Sequence, residues 1–305
     1  MRAVLELIPS VSSIADVQSV GGGCISDARR VSVIDQDGQS RILFVKSNDA
    51  SFLDNFQCEL DGLERLREPE VIGVPQPIAV GVVSDQAYLV TEWIEQTKPS
   101  ADFFADFGCA LADLHRATIG TQIGLDHDNH LGAAPQINST LINSTLIGSA
   151  LTSWPEFFAV HRIEYQIRWA ADQGLADGQL QRDCQRIAGS MDQILEGRDD
   201  ATSLLHGDLW SGNYLAGPER RPYIIDPAIY YGCREAEFGM LKLFGSCPDS
   251  FYAAYTNRFP LPGGWQRRVG VYVLYHLLNH LNLFGSGYHA QCRQIATEIL
   301  SEHSS

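Results

Sequence analysis

The chain has 305 residues, of which 45% are hydrophobic and 19% are charged, a composition typical of a folded globular protein. With 22 Lys and Arg against 37 Asp and Glu, the formal net charge is −15 at pH 7, which argues against nucleic acid or an anionic membrane as a partner. Seven dispersed cysteines without a CxxC pair, and an N-terminus without a signal-peptide pattern, predict a cytoplasmic protein.

The first 95 residues predict a small unit rich in β-structure. Asp37-Gly38 is a dipeptide typical of hairpin turns, and it separates two runs with strong β-propensity. Apolar residues at helical spacing follow, and another β-rich run closes the unit. The predicted elements are strands at 29–35, 40–47 and 86–94 and a helix at 52–67.

The rest of the chain predicts a larger, mainly helical unit. Residues 120–153 are rich in Gly, Asn, Ser and Thr and predict a long irregular loop. The apolar stretch 269–284 contains His and Asn side chains, so we do not expect it to span a membrane. The other predictions are helices at 101–118, 154–173 and 177–196, buried strands at 203–205 and 223–225, and mostly helix from 235 onward. We therefore predict an α+β fold with a small β-rich N-lobe at 1–95 and a large, mainly α-helical C-lobe at 96–305.

The clearest chemical signal is the run HGDLWSGN at 206–213, followed by a short apolar run that ends at Asp226. Phosphoryl transfer needs a carboxylate that accepts the proton of the attacking hydroxyl, and oxygen ligands that hold Mg²⁺ on the nucleotide. The kinase catalytic loop spaces its Asp and Asn five residues apart, as Asp208 and Asn213 are here. The sequence thus predicts an ATP-dependent kinase of protein-kinase-like architecture, with Asp208 as catalytic base and Asn213 and Asp226 as Mg²⁺ ligands.

Lys46 ends the predicted strand ILFVK, the position from which kinases reach the α- and β-phosphates of ATP. Glu59 lies on the apolar stripe of the next predicted helix, where an unpaired carboxylate is costly. We therefore predict an ion pair between Lys46 and Glu59. The alternative is a Glu59 side chain at the edge of the stripe that reaches solvent.

The remaining nucleotide contacts are predicted from position along the chain. A glycine triplet before the first hairpin strand would let backbone amides approach phosphate, although such triplets are also common flexible turns. The thiol of Cys24, next to these amides, is either redox-sensitive or an inert small residue. Thr91 to Ile94, at the end of the strand predicted at 86–94, would offer backbone groups to adenine. The predicted contacts are Gly21, Gly22, Gly23, Glu92, Trp93 and Ile94.

His276 and His280 lie one helical turn apart, which is the spacing of a zinc-binding pair. The run lacks the Glu of an HExxH motif, and the sequence offers no evident third ligand. We therefore expect these histidines to pack inside the helical unit.

Together the motifs resemble the fructosamine or ketosamine kinase family over nearly the whole chain. Trp210 is the residue that best distinguishes this family from its relatives, because aminoglycoside and choline kinases typically have His at this position. The matching runs are GGGCIS from Gly21, FVK ending at Lys46, FQCE at 56–59, LADLHR at 111–116, PQIN at 135–138, WPEFF at 154–158, HGDLWSGN at 206–213, DPAIYYGCREAE at 226–237 and YHLLNHLNLFGSGY at 275–288.

The resemblance implies an activity: transfer of phosphate from ATP to the third-carbon hydroxyl of a ketosamine, which promotes deglycation. The implied substrates are small ketosamines, such as fructosamines or ribulosamines, or glycated lysines of proteins, and Trp210 would stack on the sugar. Glu237 stands where Asp is expected and Cys233 where His is common, and both differences bear on substrate preference.

Two other functions remain open from the sequence. One is an aminoglycoside- or choline-type small-molecule phosphotransferase of the same fold. The other is an inactive nucleotide-binding regulator, against which the complete set of kinase residues argues.

Overall fold

The computed structural model describes residues 2–21, 25–139, 151–245 and 247–303. Gly22 and Gly23, two of the predicted phosphate contacts, lie outside the described residues, as does Cys24. Part of the predicted loop, residues 140–150, lies outside them as well.

The N-terminal part is an antiparallel five-stranded sheet in the order β1-β2-β3-β5-β4, with a short helix α1 before it and a long helix α2 packed on β4 and β5. The bounds are α1 (Arg2–Leu7), β1 (Val11–Val20), β2 (Asp27–Asp35), β3 (Ser40–Asp49), α2 (Leu53–Arg67), β4 (Pro77–Val83) and β5 (Gln86–Glu92).

The predicted hairpin between β2 and β3 is present and has a clear local cause. Gly38 adopts a φ of 77°, a left-handed conformation that costs glycine little. The Asp35 carboxylate accepts hydrogen bonds from the backbone N–H groups of Asp37 at 3.0 Å and Gln39 at 2.8 Å, which holds the turn closed. This turn fixes the register of β2 against β3, in which Lys46 lies opposite Ala28.

The C-terminal part is mainly helical, as predicted, with three short two-stranded pairs. Its helices are α3 (Phe103–Ala117), α4 (Trp154–Phe158), α5 (Tyr165–Asp172), α6 (Gly178–Gly189), α7 (Met191–Ile194), α8 (Phe238–Leu243), α9 (Asp249–Arg258), α10 (Trp265–Phe284) and α11 (His289–Glu302). Its strands are β6 (Asn129–Leu131), β7 (Ala134–Gln136), β8 (Ser203–Leu205), β9 (Tyr214–Ala216), β10 (Pro222–Ile224) and β11 (Tyr230–Gly232).

The structure corrects three of the predicted elements. The stretch 120–153 is not wholly irregular, because β6 and β7 form a short hairpin within it. The helix predicted at 154–173 contains a π-helical segment, Ala159–Glu164. The helix predicted at 177–196 is interrupted at Ser190, where φ of −111° and ψ of 14° leave the helical region.

The sheet has a small apolar core of its own, whereas Leu63 and Leu66 of α2 belong to the larger core of the helical part. The sheet buries a small cluster that includes Val31, Val33 and Val90, whereas the helical part shares one continuous core. Helix α10 runs through that larger core, and its polar Asn279 and Asn282 are hydrogen-bonded to Gln166. The α+β class is therefore confirmed, while the lobe boundary between residues 95 and 96 stays a prediction.

Candidate active site

A cavity of about 780 Å³ is lined by both parts of the chain. The sheet, helix α2, the segment 208–228 and helix α10 all contribute side chains to it. Every predicted site residue that the structure describes lines this one cavity. These residues are Gly21, Lys46, Glu59, Glu92, Trp93, Ile94, Asp208, Trp210, Asn213 and Asp226.

The predicted ion pair is present, and it has a third member. The Nζ of Lys46 lies 2.7 Å from Glu59 Oε1 and 2.7 Å from Asp226 Oδ1. Burial lowers the pKa of Lys46, but Asp226 and Glu59 outweigh burial and raise that pKa above its ordinary value. Burial raises the pKa of Glu59 to about 7, and the charge of Lys46 opposes this rise. Lys46 is therefore a firmly charged cation with a third N–H that can meet a phosphate oxygen.

Asp208 and Asn213 are joined directly within the catalytic loop. The amide Nδ2 of Asn213 donates to Asp208 Oδ2 at 3.1 Å and to the Asp208 backbone carbonyl at 2.8 Å. The other carboxylate oxygen, Oδ1, is buried and has no hydrogen-bond partner among the described residues. Burial raises the pKa of Asp208 to about 8, the charge of Asp226 adds to the rise, and the bond from Asn213 opposes it. An unpaired acceptor in this position suits a base that takes a hydroxyl proton.

The loop before Asp208 is anchored by a buried carboxylate. Glu237 accepts hydrogen bonds from the backbone N–H groups of His206 at 2.6 Å and Gly207 at 3.1 Å. Burial would raise the pKa of Glu237, but His115, His206 and the backbone bond outweigh burial and lower it. Gly207 has a φ of 80°, and a Cβ there would lie 2.1 Å from the carbonyl oxygen of Ala228. No other residue fits this position without moving the loop.

This anchoring changes the interpretation of two residues. Glu237 and Cys233 were expected to bear on substrate preference, but both are buried and neither lines the cavity. Glu237 acts on the conformation of the catalytic loop instead. No short-range sequence pattern indicates this contact, because Glu237 lies about 30 residues from its partners along the chain.

Asp226 is held in an uncommon backbone conformation, with a φ of 56°. Its neighbour Ile225 is fixed on both sides, since its N–H donates to the Asn213 carbonyl at 2.9 Å and its carbonyl accepts from His206 Nε2 at 2.8 Å. Left-handed backbone at a non-glycine residue costs energy, and it is found where a functional group must be aimed. Here it directs the Asp226 carboxylate at Lys46.

Asn213 and Asp226 meet the chemical requirements of a magnesium site. Asn213 bonds Asp208 through its nitrogen, so its amide oxygen can serve as a ligand. The Asp226 side chain is 40% exposed and lines the cavity. Amide and carboxylate oxygens are the ligands that Mg²⁺ takes alongside nucleotide phosphates. The donor set therefore fits the predicted metal.

The residues predicted to contact adenine line the cavity: Glu92 at the end of β5, and Trp93 and Ile94 directly after it. The N–H groups of Glu92 and Trp93 are occupied, donating to the carbonyls of Gln76 at 2.8 Å and Ile42 at 3.4 Å. The N–H of Ile94 has no hydrogen-bond partner within the described part of the chain, which leaves it available for a base edge. Apolar side chains from both parts of the molecule also line the cavity: Ala28, Phe44, Leu215 and Ile225.

A group of aromatic rings also lines the cavity. Trp210 lies 5.5 Å from Phe244 between ring centroids, Phe244 lies 5.5 Å from His280, and His280 lies 5.4 Å from Phe284 and 5.1 Å from Tyr288. We call these five residues the aromatic wall. Phe244 is 43% exposed and Phe284 is 53% exposed, which is unusual for rings of this size. Apart from Trp210, the wall was missed from the sequence, because it is assembled from separate helices.

The histidine pair in α10 packs as expected. The Nδ1–H of His280 donates to the His276 carbonyl at 2.8 Å, and burial lowers the pKa of His276 to about 3. Among the described residues the pair belongs to no cluster of three metal-ligating side chains.

Comparison with known proteins now decides the family. A sequence model described as fructosamine kinase matches residues 2–302. The chain is 38% identical to a "probable ketoamine kinase" of Synechocystis, over 94% of this chain and 91% of the relative. It is 36% identical to the chloroplastic protein-ribulosamine 3-kinase of Arabidopsis thaliana, over 95% of this chain and 84% of the relative. The chain belongs to the fructosamine kinase family.

Solved structures agree with this assignment. A crystal structure described as a "putative fructosamine-3-kinase" from Thermobifida fusca superposes with a TM-score of 0.82 and 30% identity, covering 98% of each chain. An aminoglycoside phosphotransferase with a TM-score of 0.61 and 14% identity covers 98% of this chain and 97% of its own, and it shares the fold alone. The bilobal, protein-kinase-like architecture is confirmed, and the chain is an ATP-dependent kinase. No helix in the described ranges is both long and apolar enough to cross a bilayer.

Proposed function

We propose that this fructosamine kinase family member transfers the γ-phosphate of Mg-ATP to the third-carbon hydroxyl of a ketosamine, free or protein-bound, and so promotes deglycation. The observation that carries the proposal is the position of Asp208. Asp208, with its unpaired Oδ1, lines the same cavity as the Lys46–Asp226 pair and the aromatic wall.

The charged residues divide the work of phosphoryl transfer. Asp208 accepts the proton of the attacking hydroxyl through Oδ1, while the bond from Asn213 to Oδ2 keeps the carboxylate oriented. Lys46, held by Glu59, meets the nucleotide phosphates with its remaining N–H. Asn213 and Asp226 would hold Mg²⁺, which neutralises charge on those phosphates. Positioning and charge stabilisation supply most of the rate in this reaction class.

The aromatic wall supplies the substrate side. A ketosamine combines a sugar, whose C–H faces stack on rings, with a secondary amine that is protonated near neutral pH. Aromatic faces attract such a cation. The wall contains no Asp, Glu, Lys or Arg. Its rings can therefore bind either an apolar amine substituent or a cationic amine. Exposed Phe244 and Phe284 leave the mouth open toward a larger amine, such as a lysine of a glycated protein.

One competing substrate class is favoured by a specific observation. Aromatic rings also bind quaternary ammonium groups, so a choline-type kinase would use the same wall. Aminoglycosides carry several ammonium groups and call for several carboxylates, which the wall does not provide. Choline is therefore the most informative competitor.

The test is a turnover panel with Mg-ATP, in which ADP release is measured for each acceptor. The acceptors are fructosyl-, ribulosyl- and erythrulosyl-amines, choline, homoserine and an aminoglycoside. We expect turnover of at least one ketosamine with a kcat/KM well above that for every other acceptor. Brisk turnover of choline or the aminoglycoside, with none of the ketosamines, would overturn the proposal.

A further inference from the structure

A cluster of metal-ligating side chains lies at the edge of the cavity, apart from the residues assigned to phosphoryl transfer. It contains Asp54 and Cys58 of α2 and His130 of β6. One carboxylate oxygen, the thiol sulfur and one imidazole nitrogen all lie within 4.8 Å of one another. Asp54 and Cys58 are four residues apart on one helix, so they project from the same face. His130 approaches from a different part of the chain.

The donor atoms are not committed elsewhere. The Nδ1 of His130 is buried with no hydrogen-bond partner among the described residues, and its Nε2 lies 3.8 Å from Asp54 Oδ2, beyond hydrogen-bond distance. The Cys58 thiol makes one weak contact, 3.9 Å from the Asp128 carbonyl oxygen. Asp54 is 75% exposed and can turn without disturbing its neighbours. A bound ion would therefore break few existing interactions.

We infer that Asp54, Cys58 and His130 form a binding site for a thiophilic divalent cation such as Zn²⁺. Thiolate, imidazole and carboxylate are the ligands that zinc takes in proteins, and three protein ligands leave a fourth position for water or a ligand. Zinc–ligand bonds of about 2.0–2.3 Å place tetrahedral donors roughly 3.3–3.7 Å apart. The cluster reaches that spacing by small side-chain rotations, chiefly of exposed Asp54.

The electrostatic surroundings support a cation here. Burial raises the pKa of the Cys58 thiol to about 11, and the charges of Asp54 and Asp61 add to the rise. Burial lowers the pKa of His130, which keeps the imidazole in its neutral, ligating form. Binding replaces the thiol proton with the metal ion, and that proton passes to solvent. The ion thereby places a positive charge beside Asp54, whereas Asp61 already has Arg65 as a partner at 2.8 Å.

The site would join two parts of the molecule that meet at the catalytic cavity. Cys58 immediately precedes Glu59, the partner of Lys46. Neighbouring contacts already link α2 to the segment around β6: Asn55 Nδ2 donates to the Gly132 carbonyl at 3.3 Å, and Arg65 donates to Asp126 at 3.0 Å. A bound ion adds a further link between α2 and the segment around β6, and it holds α2 in place next to Glu59, the partner of Lys46.

The experiment titrates tag-free, metal-stripped enzyme with Co²⁺ and then with Zn²⁺, without nucleotide or substrate. A Co²⁺–thiolate bond gives a charge-transfer absorption band, which the phosphoryl-transfer residues cannot produce because they contain no sulfur. We expect one equivalent of Co²⁺ to produce the band, Zn²⁺ to displace it, and Zn²⁺ to raise the melting temperature, since it binds the folded state.

Cys58→Ser should abolish the band, and His130→Gln should weaken binding by at least about 100-fold, more than a lost outer-shell partner costs. Cys109→Ser, which removes another half-buried thiol, and Asp226→Asn should both keep the band. Circular dichroism of each variant verifies its fold. A band that survives in Cys58→Ser, or a wild-type enzyme that gives no band and no thermal shift with stoichiometric metal, would overturn the inference. Because no readout involves turnover, such a result leaves the proposed kinase function untouched.

Discussion

Two ion clusters in this molecule, one at the cavity and one in the helical core, differ in what their members leave unpaired. At the cavity, Lys46 Nζ lies 2.7 Å from Glu59 Oε1 and 2.7 Å from Asp226 Oδ1, which leaves its third N–H for another acceptor. In the helical core, the Arg268 guanidinium bonds both oxygens of Glu235, at 2.7 and 2.5 Å, and also reaches the backbone carbonyls of Glu196 and Gly263. Both Arg268 and Glu235 are 1% exposed.

The difference lies in what each cluster leaves unsatisfied. The core pair is saturated with hydrogen bonds, and the bond with Glu235 raises the pKa of Arg268 above its ordinary value. The cavity cluster is incomplete, with a carboxylate of raised pKa at Glu59, a partly exposed Asp226 and an unpaired oxygen on Asp208. A charged pair whose hydrogen bonds are all made suits a structural role. A charged cluster with unpaired atoms suits a site that binds phosphate and a cation. The predictions below separate the two roles.

The largest effect is expected at Asp208. Asp208→Asn keeps the shape of the side chain but removes the base, so turnover should fall on the order of 10³-fold, within the range of general-base contributions. Nucleotide affinity, measured by calorimetry with Mg-ATP, should be largely unchanged. Turnover within tenfold of wild type by a folded variant would contradict the role of Asp208.

Glu235→Gln should act on stability. It leaves the buried Arg268 charge without its partner, which costs about 3–5 kcal/mol of unfolding free energy. Urea unfolding measures this loss, and the kcat of the folded fraction should stay close to wild type. A reduced kcat without loss of unfolding free energy would show that the core pair serves catalysis.

Glu59→Gln should act mainly on turnover and less on stability. Lys46 keeps Asp226 as a partner, so the loss of unfolding free energy should be smaller than for Glu235→Gln. Turnover should fall about 10²-fold, because small misplacement of a phosphate-binding group is costly. Equal losses of stability in the two variants, with unchanged kinetics for Glu59→Gln, would remove the distinction between the clusters.

Removing a ring of the aromatic wall should give a smaller kinetic effect. Trp210→Ala and Phe284→Ala should each raise KM for a ketosamine by roughly 2–10-fold, the value of one stacking contact, because stacking is already present in the ground state. Phe284→Leu, which keeps apolar area, serves as the matched control. A fall in kcat with unchanged KM would place these rings elsewhere in the mechanism.

The smallest expected effect is on the pH dependence of stability. Because folding raises the pKa of Asp208 to about 8, the folded state holds a proton that the unfolded state has released, and Asp208 makes stability fall as pH rises from about 4 to 8. Asp208→Asn cannot lose a proton, so its melting temperature should exceed that of wild type by about 2 °C or more at pH 8. The two proteins should converge near pH 4. Parallel curves at every pH would contradict the raised pKa.

The residues proposed for catalysis could be selected from the sequence because they lie at short, characteristic spacings. Asp208 and Asn213 share one loop, and Asp226 lies two residues after β10. Lys46 and Glu59 were paired by the cost of a carboxylate on an apolar helix face, an argument that needs only local periodicity.

The parts that escaped prediction depend on contacts between distant segments or on weak patterns. Strand β1 has a burial pattern with Val11 as its one buried residue, so the alternation that marks a half-buried strand is missing. Glu237 and the aromatic wall acquire their roles only when separate helices meet. The periodicity of a single sequence does not indicate which distant segments come into contact.

The proposed activity is tested most directly by the position of the transferred phosphate. Ribulosyl-lysine is incubated with Mg-ATP and either wild type or Asp208→Asn, and the product is analysed by phosphorus–proton correlation NMR. We predict phosphate on the third carbon with wild type and, in the same time, a product signal lower by about 10³-fold with Asp208→Asn. Phosphate on any other carbon, or equal product from both enzymes, would contradict the proposed reaction.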